Sequence, residues 1–203
     1  MIRNLVFDMG NVLVVFDPQY FMDVEGISDP EDRQLVYREL FHNIEWAQMD
    51  LGVLTEETAE PLVMKRIPER LRKPVSHLLS HWWEKRTCVE GMEELLRKLK
   101  AAGYRIYLLS NASVAQHEYW PRFEISKLFD GKMISCDLGI IKPHPEIYRT
   151  FTEQFGLKPE ECLFVDDLPA NVAAAVGCGW QGIVFQGSAA DLACRMQQYG
   201  IEI

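Results

Sequence analysis

Three apolar runs of strand length in this chain each stop on a polar group. Asn4-Leu5-Val6-Phe7 runs into Asp8, Tyr104-Arg105-Ile106-Tyr107-Leu108-Leu109 into Ser110-Asn111, and Glu161-Cys162-Leu163-Phe164-Val165 into Asp166-Asp167. Near-continuous apolar strands are buried on both faces, which is how parallel sheets covered by helices are built. Shorter strands are expected over 132–135, followed by a loop that holds Lys142, and over 181–185. Helices are expected between them. Met92, Leu95, Leu96, Leu99 and Ala102 recur at helical spacing before Gly103, a second helix stops at Pro121, a third carries Tyr148, Phe151 and Phe155, Pro169 opens a fourth, and Ser188 with Asp191 caps the last. This alternation predicts an α/β fold with three layers and a parallel sheet at its centre.

Residues 16–87 interrupt the alternation. Ser28-Asp29-Pro30-Glu31 has the pattern of a helix start, with Ser28 as N-cap and Glu31 at the capping-box position. Thr55-Glu56-Glu57 predicts another start, with acids where the helix dipole favours them. Pro68 and Pro74 are expected to bracket a break, with a further helix from about residue 74 to 86. The expected organisation is therefore a core of residues 1–15 and 88–203 with a small helical cap of residues 16–87 inserted after the first strand.

Bulk properties exclude several function classes. With 48% apolar and 25% charged residues among 203, the chain has the composition of an ordinary globular protein. Its net charge of −9 disfavours nucleic acid and anionic membrane surfaces, which attract basic patches. No run of about 18 apolar residues occurs, and Met1-Ile2-Arg3 leads directly into the first strand, so a cytoplasmic protein is expected. Cys88, Cys136, Cys162, Cys178 and Cys194 contain no Cys-x-x-Cys pair and predict neither a disulfide framework nor a zinc knuckle. A monomer or weak homodimer acting on a small molecule is the expectation.

Parallel sheets bind ligands beyond the carboxyl ends of their strands, where Asp8, Ser110-Asn111, Lys142 and Asp166-Asp167 all fall. Carboxylates from two strands repel unless a hard cation such as Mg²⁺ lies between them. One of them could then attack a phosphoryl group whose charge is offset by the metal, Lys142 and the Ser110 hydroxyl. Read singly, each element has a plainer role: a turn for Ser110-Asn111, a solvated lysine at Lys142, a helix cap at Asp166-Asp167.

Taken together these motifs resemble the haloacid dehalogenase-like hydrolases. That family carries an Asp-x-Asp after an apolar strand, a Ser or Thr after another, a Lys, and an acidic pair; here Asp8, Ser110, Lys142 and Asp166-Asp167 match, and Lys142-Pro143-His144-Pro145-Glu146-Ile147-Tyr148 has the family's wording. The resemblance implies a Rossmann-like core, a small helical cap, and Mg²⁺-dependent hydrolysis through an aspartyl-phosphate on Asp8. It further implies metal ligation by Asp8, the Gly10 carbonyl and Asp167, with Asp166 a secondary ligand. Ser110 and Asn111 would hold the phosphate and Lys142 would pair with phosphate and nucleophile. Within the family the chain looks most like sugar-phosphate phosphatases that begin Phe-Asp-x-Gly-Asn-Val, which implies a substrate such as glucose-1-phosphate.

One position departs from the pattern. Gly10 stands where most family phosphatases have the second Asp, their general acid and base, and such help is worth about 10²–10⁴-fold. A sugar-1-phosphate tolerates the loss better, because its hemiacetal oxygen leaves more readily than an alkoxide. His144 is a candidate substitute, though a loop role is expected for it. In the cap, His42, Glu45, Trp46 and Gln48 suit a polyhydroxylated ligand, while Trp82 and Trp83 are expected to pack cap against core. His77 and His81 share a helix face but lack a third ligand in register. Two alternatives stand beside the phosphatase: a metal-independent haloacid dehalogenase and a non-catalytic phosphate-binding protein.

Overall fold

The computed structural model describes residues 1–202. Its centre is a five-stranded parallel sheet of β1 (Asn4–Phe7), β2 (Arg105–Ser110), β3 (Gly131–Ile134), β4 (Cys162–Asp166) and β5 (Gln181–Val184), ordered β3-β2-β1-β4-β5. The chain lays down β1, β2 and β3 in one direction and then returns to place β4 on the other side of β1. The switch point therefore lies between β1 and β4, whose register pairs Asn4 with Cys162 and Phe7 with Val165. Ligand crevices form at such switch points.

Alternate strand residues enter opposite faces. Leu5, Phe7, Ile106, Leu108, Leu163, Val165 and Ile183 pack under α6 (Met92–Ala101) and α10 (Ala189–Gln197) through Leu95, Leu96, Leu99, Leu192 and Met196. Val6, Tyr107, Leu109, Met133 and Phe164 pack under α8 (Pro145–Phe155) and α9 (Pro169–Gly177) through Ile147, Tyr148, Phe151 and Ala175. The three layers expected from the apolar runs are present. The short α7 (Gln116–Tyr119) passes directly into a 3-10 turn at Trp120–Arg122, with Pro121 in its first positions.

Between β1 and α6 the chain forms α1 (Pro18–Val24), α2 (Pro30–Val36), α3 (Ile44–Asp50), α4 (Glu56–Met64) and α5 (Glu69–His81). Phe21, Met22, Val36, Leu40, Met49, Val63, Leu71, Val75 and Leu78 gather there in a buried cluster of their own. Two local expectations need correction. The N-cap of α2 is Asp29, not Ser28: its carboxylate accepts from the N–H groups of Glu31 and Asp32 at 3.0 Å. Nor does Pro74 break the chain, for α5 runs through it from Glu69. The missing hydrogen bond at Pro74 is outweighed because Leu71, Val75, Leu78 and Leu79 on the same helix are buried. Thr55 caps α4 as expected, in a reciprocal pair with Thr58.

The helical segment docks on the sheet's loops through the end of α3. The Ser135 hydroxyl donates to the Asp50 carbonyl, and the Ser113 hydroxyl donates to the Glu56 carboxylate. Gly52 (φ +70°) lies so close to this contact that a Cβ would meet the Cys136 carbonyl oxygen at 2.3 Å.

Candidate active site

The apolar run of β1 delivers Asp8 to the sheet's carboxyl edge, where its N–H donates to the Val165 carbonyl of β4 at 2.9 Å. Asn11, in the left-handed region at φ 54°, turns the chain sharply just beyond. Asn tolerates this conformation better than most residues. Its side chain ties the segment after β1 to the end of β4, accepting from Phe16 N–H at 3.0 Å and donating to Asp167 at 3.3 Å.

Lys142 organises the floor. Its ammonium donates to Asp8 Oδ1 at 2.6 Å, Asp166 Oδ2 at 2.8 Å and the Leu109 carbonyl at 3.0 Å, which uses all three of its protons. Burial pulls its pKa down, but the two carboxylates outweigh that and the net direction is up. Asp8 is buried as well, and burial lifts its carboxyl to about 7 against the pull of Lys142 and with the push of Asp166. A bound cation would reverse that lift, because it favours the ionised form.

The two acids after β4 divide. Asp166 is completely buried, and beyond Lys142 its oxygens accept from Leu168 N–H at 2.8 Å and from the Asn171 amide at 3.0 Å on each oxygen. Its lone pairs are nearly filled by protein donors. Asp167 is half-exposed and lines the cavity with Asp8 and Gly10. Carboxylate oxygens of Asp8, Asp166 and Asp167 lie within 4.8 Å of one another. With oxygen donors alone, this set fits a hard divalent cation such as Mg²⁺.

Ser110 ends β2 and lines the cavity, almost buried. Asn111 lines it too, but its amide is largely engaged elsewhere, accepting from Lys142 N–H at 2.8 Å and donating to the Lys142 carbonyl at 2.9 Å. Asn111 thus fixes the Lys142 backbone and keeps one amide hydrogen for a ligand.

Above this floor is a cavity of about 330 Å³. Its walls are Phe16, Trp46, Met49, Leu79, Trp82 and Tyr119, with Asp50, Glu56 and Arg86 as the charged groups supplied from residues 16–87. Phe16, Trp46 and Trp82 meet at ring separations of 4.8–5.9 Å. The Arg86 guanidinium lies 3.3 Å from the Trp82 ring centre and 4.8 Å from that of Tyr119. Burial lowers its pKa to about 10, and among the described residues its Nε and Nη2 have no hydrogen-bond partner.

Of the expected cap group, Trp46 alone lines the cavity. Glu45 is turned away and held by Arg66 at 2.8 and 2.9 Å, and His42 lies against Tyr37. Trp82 belongs to the cavity rather than only to packing, whereas Trp83 is buried against Tyr119. His77 binds Glu25 at 2.7 Å and stacks on His81. His144 caps α8 by accepting from Glu146 N–H at 3.3 Å, the loop role expected of it. Nothing in the sequence marks Asp50, Arg86 or Tyr119 as cavity residues, and Glu56 is marked there only as a first-turn acid of a helix. The empty Gly10 position was the signal that a carboxyl from elsewhere was needed.

A family model for haloacid dehalogenase-like hydrolases matches residues 2–179. The chain belongs to this hydrolase family. It is 27% identical, over 98% of its length and 78% of the relative's, to the chloroplast flavin mononucleotide hydrolase 1 of Arabidopsis thaliana. To a sesquiterpene phosphatase of Aspergillus oryzae it is 26% identical over 89% of this chain and 88% of that one. Among solved structures, a HAD-like family hydrolase from Porphyromonas gingivalis superposes with a TM-score of 0.70 at 25% identity, covering 100% of both chains. A HAD family enzyme from Bacteroides thetaiotaomicron, crystallised with magnesium and inorganic phosphate, gives a TM-score of 0.71 at 20% identity over 95% of this chain and 99% of that one. Among the described residues, no helix is long and apolar enough to cross a membrane.

Proposed function

We propose that this hydrolase is a phosphomonoesterase that transfers the phosphoryl group of a small phosphorylated metabolite to Asp8 and then to water. The observation that carries this reading is the Lys142 ammonium held between Asp8 and Asp166 on the cavity floor. A fixed cation beside a carboxylate oxygen neutralises charge where a phosphoryl group would meet its nucleophile. Relatives named as a flavin mononucleotide hydrolase and a sesquiterpene phosphatase support the same reaction class.

In this reading Asp8 Oδ attacks phosphorus and the bond to the ester oxygen breaks, leaving an aspartyl-phosphate on Asp8. Water then attacks phosphorus, the bond to Asp8 breaks, and inorganic phosphate departs. Ser110 and the remaining Asn111 amide hydrogen bind phosphate oxygens, and Lys142 stays against Asp8. Asp8, the Gly10 carbonyl and Asp167 would hold Mg²⁺, with Asp166 behind them as the anchor of Lys142. When bound, the ion keeps Asp8 ionised and offsets charge on the transferring group. Residues 16–87 act as the cap that closes this chamber.

For the substrate, a cavity of about 330 Å³ is at the small end of the range for ligand pockets, about 300–1,000 Å³. A sugar phosphate fits, its ring lying beside the aromatic wall that Trp46 and Trp82 contribute. Glucose-1-phosphate is the first ester to test.

The test is phosphate release from glucose-1-phosphate, glucose-6-phosphate, flavin mononucleotide and p-nitrophenyl phosphate, with Mg²⁺ or with EDTA, in the wild type and in Asp8→Asn. Release that needs Mg²⁺ and vanishes in Asp8→Asn is expected. Release of halide from 2-haloacids in EDTA, with no phosphate from any ester, would favour the dehalogenase alternative. Inertness towards all of these would leave a phosphate-binding protein.

A further inference from the structure

Resting on the phosphatase reading, the geometry points to Asp50 as the proton-transfer group of this site, a carboxyl brought in from the helical segment to do what Gly10 cannot. Asp50 ends α3 and lines the cavity that holds Asp8, Gly10 and Lys142. Its backbone is fixed from below by Ser135, and Gly52 permits the close approach to Cys136 that keeps α3 in place. Its carboxyl is different. Among the described residues nothing hydrogen-bonds to it, and what acts on it is burial together with the charges of Lys142, Asp8 and Glu56.

An acid without hydrogen-bond partners, half-buried and open to the cavity, is costly unless a ligand uses it. Burial raises it to about 7, a value at which a carboxyl can both give and take a proton near neutrality. The neighbouring Glu56 is a weaker candidate because the Ser113 hydroxyl already occupies its carboxylate. Nor does space explain Gly10, since a Cβ there would meet only Asp8 Oδ2, at 4.0 Å.

The proton balance closes. As the ester bond breaks, its electron pair goes to the leaving oxygen, which takes the proton of the Asp50 carboxyl. The resulting carboxylate then removes a proton from the water that attacks the aspartyl-phosphate, and Asp50 is protonated again when inorganic phosphate leaves. The chain can thus hydrolyse primary alkyl phosphates, not only sugar-1-phosphates.

The experiment compares wild type, Asp50→Asn, Asp50→Glu, Glu56→Gln and the double variant Asp50→Asn/Gly10→Asp, with Mg²⁺ present, on glucose-6-phosphate and p-nitrophenyl phosphate. In Asp50→Asn, kcat on glucose-6-phosphate is expected to fall about 10²–10⁴-fold. With p-nitrophenyl phosphate, whose leaving group needs no acid, a burst of about one nitrophenolate per protein followed by slow turnover is expected. Asp50→Glu keeps the carboxyl and should retain most turnover, and Gly10→Asp should restore the alkyl substrate in the double variant. The alkaline limb of the kcat profile on glucose-6-phosphate, where Asp50 loses the proton it has to donate, should move in Asp50→Asn; the groups facing Asp50 are Asp8, Lys142 and Glu56, and Tyr119 and Cys136 also feel its charge.

Turnover of glucose-6-phosphate by Asp50→Asn within about threefold of wild type would overturn the assignment. So would equal losses on both substrates without a burst, or the substrate split appearing in Glu56→Gln instead. A wild type that releases no phosphate, or that ignores Asp8→Asn, would remove the phosphatase reading itself.

Discussion

Lys142 has spent its hydrogen-bonding capacity before any ligand arrives, and that makes it the residue least open to substitution. Lys142→Met leaves Asp8 and Asp166 facing each other without a cation in a buried setting. Breaking a buried ion pair costs about 3–5 kcal/mol, so a marked fall in Tm accompanies the expected loss of activity. Thermal unfolding followed by circular dichroism measures it. Asp50 has the opposite character. Its folded pKa, about 7, stands above the unfolded value of 3.8, so between those pH values the unfolded chain has already released the proton that the folded chain keeps. Stability contributed by that proton is lost as pH rises through the window. Asp50→Asn should therefore raise Tm, by more at pH 8 than at pH 5, while lowering turnover. At this scale the strand-end residues Asp8, Ser110 and Asp166-Asp167 were legible because a strand dictates where its last residue emerges, and Lys142 was legible as the lysine of the loop after β3. Asp50 and Arg86 were not, since no spacing rule says which residue of an inserted helix turns towards a distant sheet. Asn111 was legible as a position, but its bonds to the Lys142 backbone depend on a loop 31 residues away.

The elements differ in how much of them the sequence could specify. Strands β1, β2 and β4, with near-continuous apolar runs, could be read almost to the residue, and Thr55 announced α4 through local chemistry alone. Asp29 displaced Ser28 as a cap because both are good acceptors and only the backbone decides at which residue the helix begins, here Pro30. Pro74 misled because the rule against internal prolines weighs one lost hydrogen bond, while α5 buries four large apolar side chains. The junction at the end of α3 depends on Gly52. Gly52→Ala places a methyl group against the Cys136 carbonyl and forces a side chain into positive φ, which together cost about 1–3 kcal/mol. Activity should fall more than stability, because the displaced element carries Asp50. Comparing kcat with Tm for this variant separates the two effects.

For the molecule as a whole, the proposed metal site implies that acidity and metal binding are coupled. Asp8 and Asp50 both rise to about 7 on folding, so without metal the protein should lose stability as pH climbs from about 4 to about 7. A cation that binds ionised Asp8 opposes this, and Mg²⁺ should raise Tm more at pH 8 than at pH 5. A thermal-shift series across pH, with and without Mg²⁺, tests it. The order of strands has one more effect. Lys142 meets Asp8 across 134 positions of sequence, and Asp166 reaches the same ammonium only after β4 has been inserted beside β1. No contiguous stretch of the chain contains a working site. On the roles proposed for Asp8, Lys142 and Asp166, the nascent protein is expected to stay chemically silent until β4 has been made, so that its first turnover would mark the completion of folding rather than the start.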